Sequence, residues 1–165
     1  MSQKEQLLKS WQRETPITLK LLKAYPEDRA EFRPHEKSQR AIQLSWAFVI
    51  GQITCQRLLD GTFKFPPEFP TAPKRLNELI TVFETEHANH MEKLQRAEDS
   101  DLIQTVKLID PYAGPGQWKD LTKSYFMWFL LCDHIHHRGQ LSVYQRLAGG
   151  KVPSIYGPSA DEPWK

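Results

Sequence analysis

The prolines of this chain are clustered, and the clusters limit where helices can run. Four of the 12 lie between Pro66 and Pro73 and three between Pro153 and Pro163, while Pro111 and Pro115 mark another break. A proline inside a helix removes a backbone hydrogen bond and clashes with the preceding turn, so such clusters separate elements. Long proline-poor segments lie between them. The first runs from Gln3 to Ala24, with Leu7, Leu8, Trp11, Ile17, Leu19, Leu21 and Leu22 on its apolar side. Pro16 falls inside it and predicts a kink or a restart. The second starts near Ser38, a candidate N-cap, and ends at Asp60-Gly61, where glycine can take the left-handed C′ conformation. Ala41, Leu44, Ser45, Phe48, Gln52, Cys55 and Leu59 give it a helical rhythm. The third begins near Thr71-Ala72-Pro73, with proline just inside the start, and continues through Leu76, Leu79, Ile80, Phe83, His87, His90, Met91 and Leu94. Residues Ser100 to Gln117, with LIQTVKLID followed by PYAGPG, predict a short extended excursion or hairpin. A last helix is expected from about Lys119 to Ala148, stopped by Gly149-Gly150. The segment after it, KVPSIYGPSADEPWK, has no helical rhythm.

These segments predict an all-α fold: a four-helix bundle with one long crossover and an ordered C-terminal tail, one domain over residues 1–165. Lys and Arg number 22 against 20 Asp and Glu, a net charge of +2. Without clustered basic charge there is no electrostatic footprint for nucleic acid. No apolar run approaches the ~18 residues a membrane span needs, and the polar N-terminus predicts no secretory signal. Two cysteines do not make a disulfide framework, so a cytoplasmic location is expected. The longest apolar run, Tyr125 to Cys132, is apolar all round and so predicts burial on more than one side. A homodimer through this run is expected, with Met127 and Trp128 as its test positions.

Three of six histidines fall in Asp133-His134-Ile135-His136-His137-Arg138-Gly139-Gln140. At about 100° per residue, Phe126, Leu130, Asp133, His137, Leu141 and Tyr144 share one face, with His134 and His136 on its flanks. Asp133 and His137 are thus an i,i+4 pair within an apolar stripe. Three readings are open. The pair ligates a metal ion, or Asp133 orients His137 for acid–base work, or a hydrogen-bonded Asp–His pair holds the core in register. Cys132 lies next to the pair but points away from its face.

From His136 to Glu162 the chain reads HHRGQLSVYQRLAGGKVPSIYGPSADE. This segment resembles the C-terminal signature of the DinB-like (damage-inducible) family of bacterial proteins. The resemblance implies a four-helix bundle, commonly dimeric, often holding a divalent metal (zinc or nickel) through three histidines. It also implies thiol S-transferase or hydrolase-type activity in some branches. The family's last ligand, directly before Arg-Gly-Gln, falls on His137. Its partner four residues earlier, usually His, is Asp133. The third ligand, in a Leu-x-x-His context of the second helix, falls on Ala47; a shift by one puts Phe48 there. Neither can ligate, and residues 38 to 54 contain no His, Cys, Asp or Glu. Cys55 lies about 12 Å further along the helix. The resemblance therefore implies a metal site that is incomplete here, with His134, His136, Tyr144 and Phe48 as pocket candidates and His87 or His90 as substitute ligands. Arg138 is expected to pair with Asp161 or Glu162 and pin the tail. The rival reading is a non-catalytic bundle that binds a small molecule or a partner, its Asp133–His137 pair being structural.

Overall fold

A computed structural model describes residues 1–114 and 116–164; Pro115, one of the expected break points, lies outside the described residues. Helix α1 spans Gln3–Ala24. Ser2 caps it: its hydroxyl accepts from Glu5 N–H at 3.3 Å, and the Glu5 carboxylate accepts from Ser2 N–H at 3.0 Å. The helix continues through Pro16 without the expected restart. Pro16 lies on the exposed face, and the carbonyl it leaves unpaired belongs to exposed Gln12, where water can serve it.

Helix α2 spans Ala41–Leu59 and begins three residues after Ser38, because the chain turns through residues 34–38. The Gln43 side chain accepts from Arg40 N–H at its start, at 3.1 Å. Gly61, at φ 70°, ends it as expected. Helix α3 spans Leu76–Arg96, later than Pro73 suggested. Its start is set from elsewhere in the chain. The carboxylate of Glu27, in the 3-10 turn Glu27–Arg29, accepts from Leu76 N–H and Asn77 N–H, each at 3.1 Å. A short helix α4, Asp99–Leu102, leads into the expected hairpin. Strand β1, Thr105–Ile109, pairs antiparallel with β2, Trp118–Thr122, in a register from Thr105↔Thr122 to Ile109↔Trp118. Because β2 takes residues through Thr122, helix α5 starts at Lys123 rather than Lys119, and it runs to Leu147. The Thr122 hydroxyl caps it, accepting from Tyr125 N–H at 3.2 Å.

Among the described residues, the core is divided into two apolar clusters. One gathers Leu21 and Leu22 of α1, Leu44 and Phe48 of α2, Leu76, Leu79 and Phe83 of α3, and Leu141 of α5. The other gathers Leu7 and Trp11, Cys55 and Leu58, Leu94, and Met127 and Leu131. The order in which each helix meets the clusters gives its direction. α1 and α5 run one way; α2 and α3 run the other, joined by the long crossover 60–75. Between the clusters lies a layer of buried polar side chains: Glu14, Thr15 and Thr18 of α1, Gln52 of α2, His90 of α3, and His134 and Arg138 of α5. Among the described residues, no helix is long and apolar enough to cross a membrane.

Candidate functional site

The wheel expected for α5 is rotated. Its buried face is Met127, Leu131, His134, Arg138, Leu141 and Gln145. Asp133 and His137 lie at the edge of that face, their side chains 39% and 21% exposed. The physical reason is the second apolar cluster, which takes Met127 and Leu131 fully inward and leaves Phe126 and Leu130 half-buried. Asp133 and His137 nevertheless form one unit. His137 Nδ1 donates to the Asp133 carbonyl at 2.8 Å, and the Asp133 carboxylate stands 3.2 Å from the same nitrogen. Hydrogen bonding to the Asp133 carboxylate raises the imidazole pKa against the opposing effect of burial. With Nδ1 engaged, Nε2 is the nitrogen left for a ligand.

His137 lines a cleft of about 290 Å³ with Ser38, Gln39, Leu44, Gln140 and Tyr144. Tyr144 lines the same cleft as His137. His136 is exposed and packs edge-on against His137 with ring centroids 5.5 Å apart. Two expected pocket residues are elsewhere. His134 and Phe48 are both buried in the core, their rings 4.7 Å apart. Neither lines this cleft, because both lie on the inward faces of their helices.

The three-ligand metal set does not fit these residues. Ala47 lies one turn from Leu44 on α2 and carries no donor. Each substitute histidine has its Nδ1 engaged by a neighbour. His87 Nδ1 is 3.2 Å from Thr15 Oγ1, and His90 Nδ1 bonds Gln52 Oε1. Cys55 is fully buried among Leu58, Leu94 and Met127, and burial pushes its thiol pKa up. Among the described residues, no group of three or more His, Cys, Asp or Glu side chains could hold a metal ion.

A larger polar constellation occupies the middle of the bundle. Arg138 is 1% exposed and Glu14 fully buried, and they meet at 2.6 Å. The other guanidinium nitrogen donates to the Glu14 carbonyl at 3.0 Å and to Thr18 Oγ1 at 3.3 Å. Thr18 Oγ1 is 2.7 Å from His134 Nε2. The Tyr156 hydroxyl, from the tail, bonds both Glu14 and Arg138, and its ring lies under the guanidinium at 4.9 Å. Burial pushes the Glu14 pKa up, but hydrogen bonds from Tyr156, Arg138 and Arg13 more than offset it and hold it below the usual value. His90 and His134 are pushed down to about 3 by burial. Arg138 therefore does not pair with the tail acids as expected: Asp161 pairs with Arg146, and Glu162 with Lys20 at 2.6 Å. The tail is pinned, but through α1 and the end of α5.

Gln52 belongs to the expected stripe of α2, whereas Glu14, Thr18 and Tyr156 lie outside every expected site. A signal for Glu14 and Thr18 exists: Leu7, Trp11, Glu14, Thr18 and Leu21 recur at helical spacing on one face. Nothing local marks Tyr156, whose role depends on a tail folding back over 142 residues of sequence separation.

The model of the DinB family matches residues 1–164 of this chain. An uncharacterised protein of Bacillus subtilis (strain 168), YrdA, is 28% identical over 161 residues, covering 96% of this chain and 90% of that protein. The crystal structure of a DinB-like protein of Bacillus subtilis, YjoA, superposes with a TM-score of 0.72 at 19% identity, over 91% of this chain and 97% of that one. A DinB-like protein from Bacillus cereus ATCC 10987 does so with the same TM-score at 24% identity, over 92% and 97%.

Proposed function

Because the chain belongs to the DinB family, we propose that it is a single-domain cytoplasmic bundle that binds a small polar molecule at His137 without a metal ion. The observation that carries this reading is the orientation of one imidazole. Asp133 fixes His137 Nδ1, and the ring stands in a cleft lined by four further hydrogen-bonding residues, Ser38, Gln39, Gln140 and Tyr144. A histidine so held offers a directed N–H donor when protonated and a directed lone pair when neutral. Small-molecule sites characteristically combine a concave surface with a few placed polar groups. The family's metal-assisted transfer or hydrolysis would need a third ligand, and Ala47 stands where it belongs.

The test is a thermal-shift screen of small polar metabolites against chelator-treated protein. The reading expects at least one compound to raise the melting temperature of the wild type and to lose that effect in His137→Ala. Compounds that shift both proteins equally would place binding elsewhere and overturn it.

The proposal includes a homodimer through the outer face of α5. Tyr125, Phe129 and Cys132 follow one another on that face, and Tyr112 of the hairpin loop packs edge-on against Tyr125 and Phe129 at 6.2 and 5.7 Å. Tyr112 and Tyr125 remain 68% and 41% exposed. An aromatic patch of this kind is a natural interface core. Met127 is fully buried inside the protomer, so it is not the test position the sequence suggested.

A further inference from the structure

We propose that the centre of the bundle is a built hydration site: ordered water held among Trp11, Gln52, His90 and His134, separate from the cleft at His137. Four fully buried polar atoms there have no hydrogen-bond partner among the described residues: Trp11 Nε1, Gln52 Nε2, His90 Nε2 and His134 Nδ1. They come from α1, α2, α3 and α5, one from each long helix. The Trp11 ring ties them together, standing edge-on to His90 at 5.1 Å and to His134 at 5.3 Å. Gln52 joins through its hydrogen bond with His90.

The chemistry of the four atoms selects the occupant. Trp11 Nε1 can only donate. Gln52 Oε1 faces His90 Nδ1, so Nδ1 carries the proton, His90 Nε2 presents a lone pair, and Gln52 Nε2 donates. Thr18 Oγ1 accepts from Arg138 at 3.3 Å and lies 3.2 Å from the Glu14 carbonyl and 2.7 Å from His134 Nε2; with the hydroxyl proton on the carbonyl, His134 Nε2 donates to Thr18 Oγ1 and His134 Nδ1 presents a lone pair. The site thus offers two donors and two acceptors. Water is the common molecule that complements both at once, and buried waters characteristically serve polar groups that the protein leaves unpaired. A cation would meet the two N–H donors, and an anion the two lone pairs. The position agrees: the site lies in the polar layer between two apolar clusters, where dry packing of these side chains would leave the four atoms unpaired.

A crystal structure of the full chain at atomic resolution tests this directly. The expected result is a water oxygen about 2.7–3.2 Å from Trp11 Nε1 and within the same reach of an imidazole lone pair, with no anomalous signal. In solution, the Trp11 indole proton should show a cross-peak to water with the sign of a long-lived bound molecule. In Trp11→Phe, which keeps an aromatic ring and removes the donor, that water should be lost while helicity is retained. The wild-type measurements stand even if the variant fails to fold. A dry layer, with the four atoms repaired by rotated side chains, would overturn the proposal. An anomalous scatterer at the site would overturn it equally, since the occupant would then be a metal ion.

Discussion

His137 on one side, and His90 and His134 on the other, shift in opposite directions on folding, the first through its Asp133 partner and the others through burial. His137 gains a carboxylate and its pKa rises, so the protonated form is favoured by folding; that stabilisation is present below the ordinary value of 6.5 and is lost as pH rises through the folded-state value. His90 and His134 are buried, and folding lowers them from 6.5 to about 3. Their contribution is complete above 6.5 and is lost as pH falls, because the unfolded chain takes up protons that the folded chain refuses. Each costs stability with a slope that approaches ~1.4 kcal/mol per pH unit only well below 6.5, so between roughly pH 6.5 and 5 the two together remove about 3 kcal/mol. Urea unfolding across that range measures it. Replacing His134 with Gln should roughly halve the slope, and an unchanged slope would show that these imidazoles are not held neutral.

Each long helix owes its start to a different device, and the devices differ in how far they reach. Ser2 and Glu5 cap α1 from within four residues, and Thr122 caps α5 from the adjoining strand. The α3 cap is Glu27, 49 residues away from Leu76. Replacing Glu27 with Ala should destabilise the protein by about 0.5–2 kcal/mol, the usual cost of a lost cap. Guanidinium unfolding would show it, and no change in midpoint would mean that water serves those two N–H groups equally well. This difference in reach explains what the sequence disclosed. The bounds of α1 are legible in its apolar side from Leu7 to Leu22, and the hairpin is legible because LIQTVKLID partly alternates. The start of α3 was not, since Pro73 lies before a helix that begins only where Glu27 reaches it. The phase of α5 was misread because YFMWFLLC is apolar in every direction, so periodicity could not say whether Met127 or Phe126 faces inward. That one rotation moved the candidate site from the core to its edge, and exchanged Asp133 and His137 for His134 and Arg138 as the buried pair.

At the scale of the whole molecule, polar groups hold together what the apolar clusters divide. Arg138, Glu14 and Thr18 join α1 to α5, and Tyr156 adds the tail to the same network. Breaking such a buried pair on one side leaves a charge without a partner, which is why a fully satisfied network is tolerated in the core at all. The first half of the outer face of α5 presents Tyr125, Phe129 and Cys132 and carries the proposed dimer. Phe129→Glu should give a monomer in sedimentation velocity with unchanged helicity, and a wild type that already sediments as a monomer would end that proposal. His137 stands where the family's pattern would place a metal ligand, in a set that Ala47 leaves incomplete. Adding zinc to the protein while following the His137 ring by NMR tests it most directly. The ring is expected to titrate with a pKa above 6.5, falling in Asp133→Asn, and to keep its signals in place at equimolar zinc. Stoichiometric zinc bound tightly through His137, and released in His137→Ala, would contradict it.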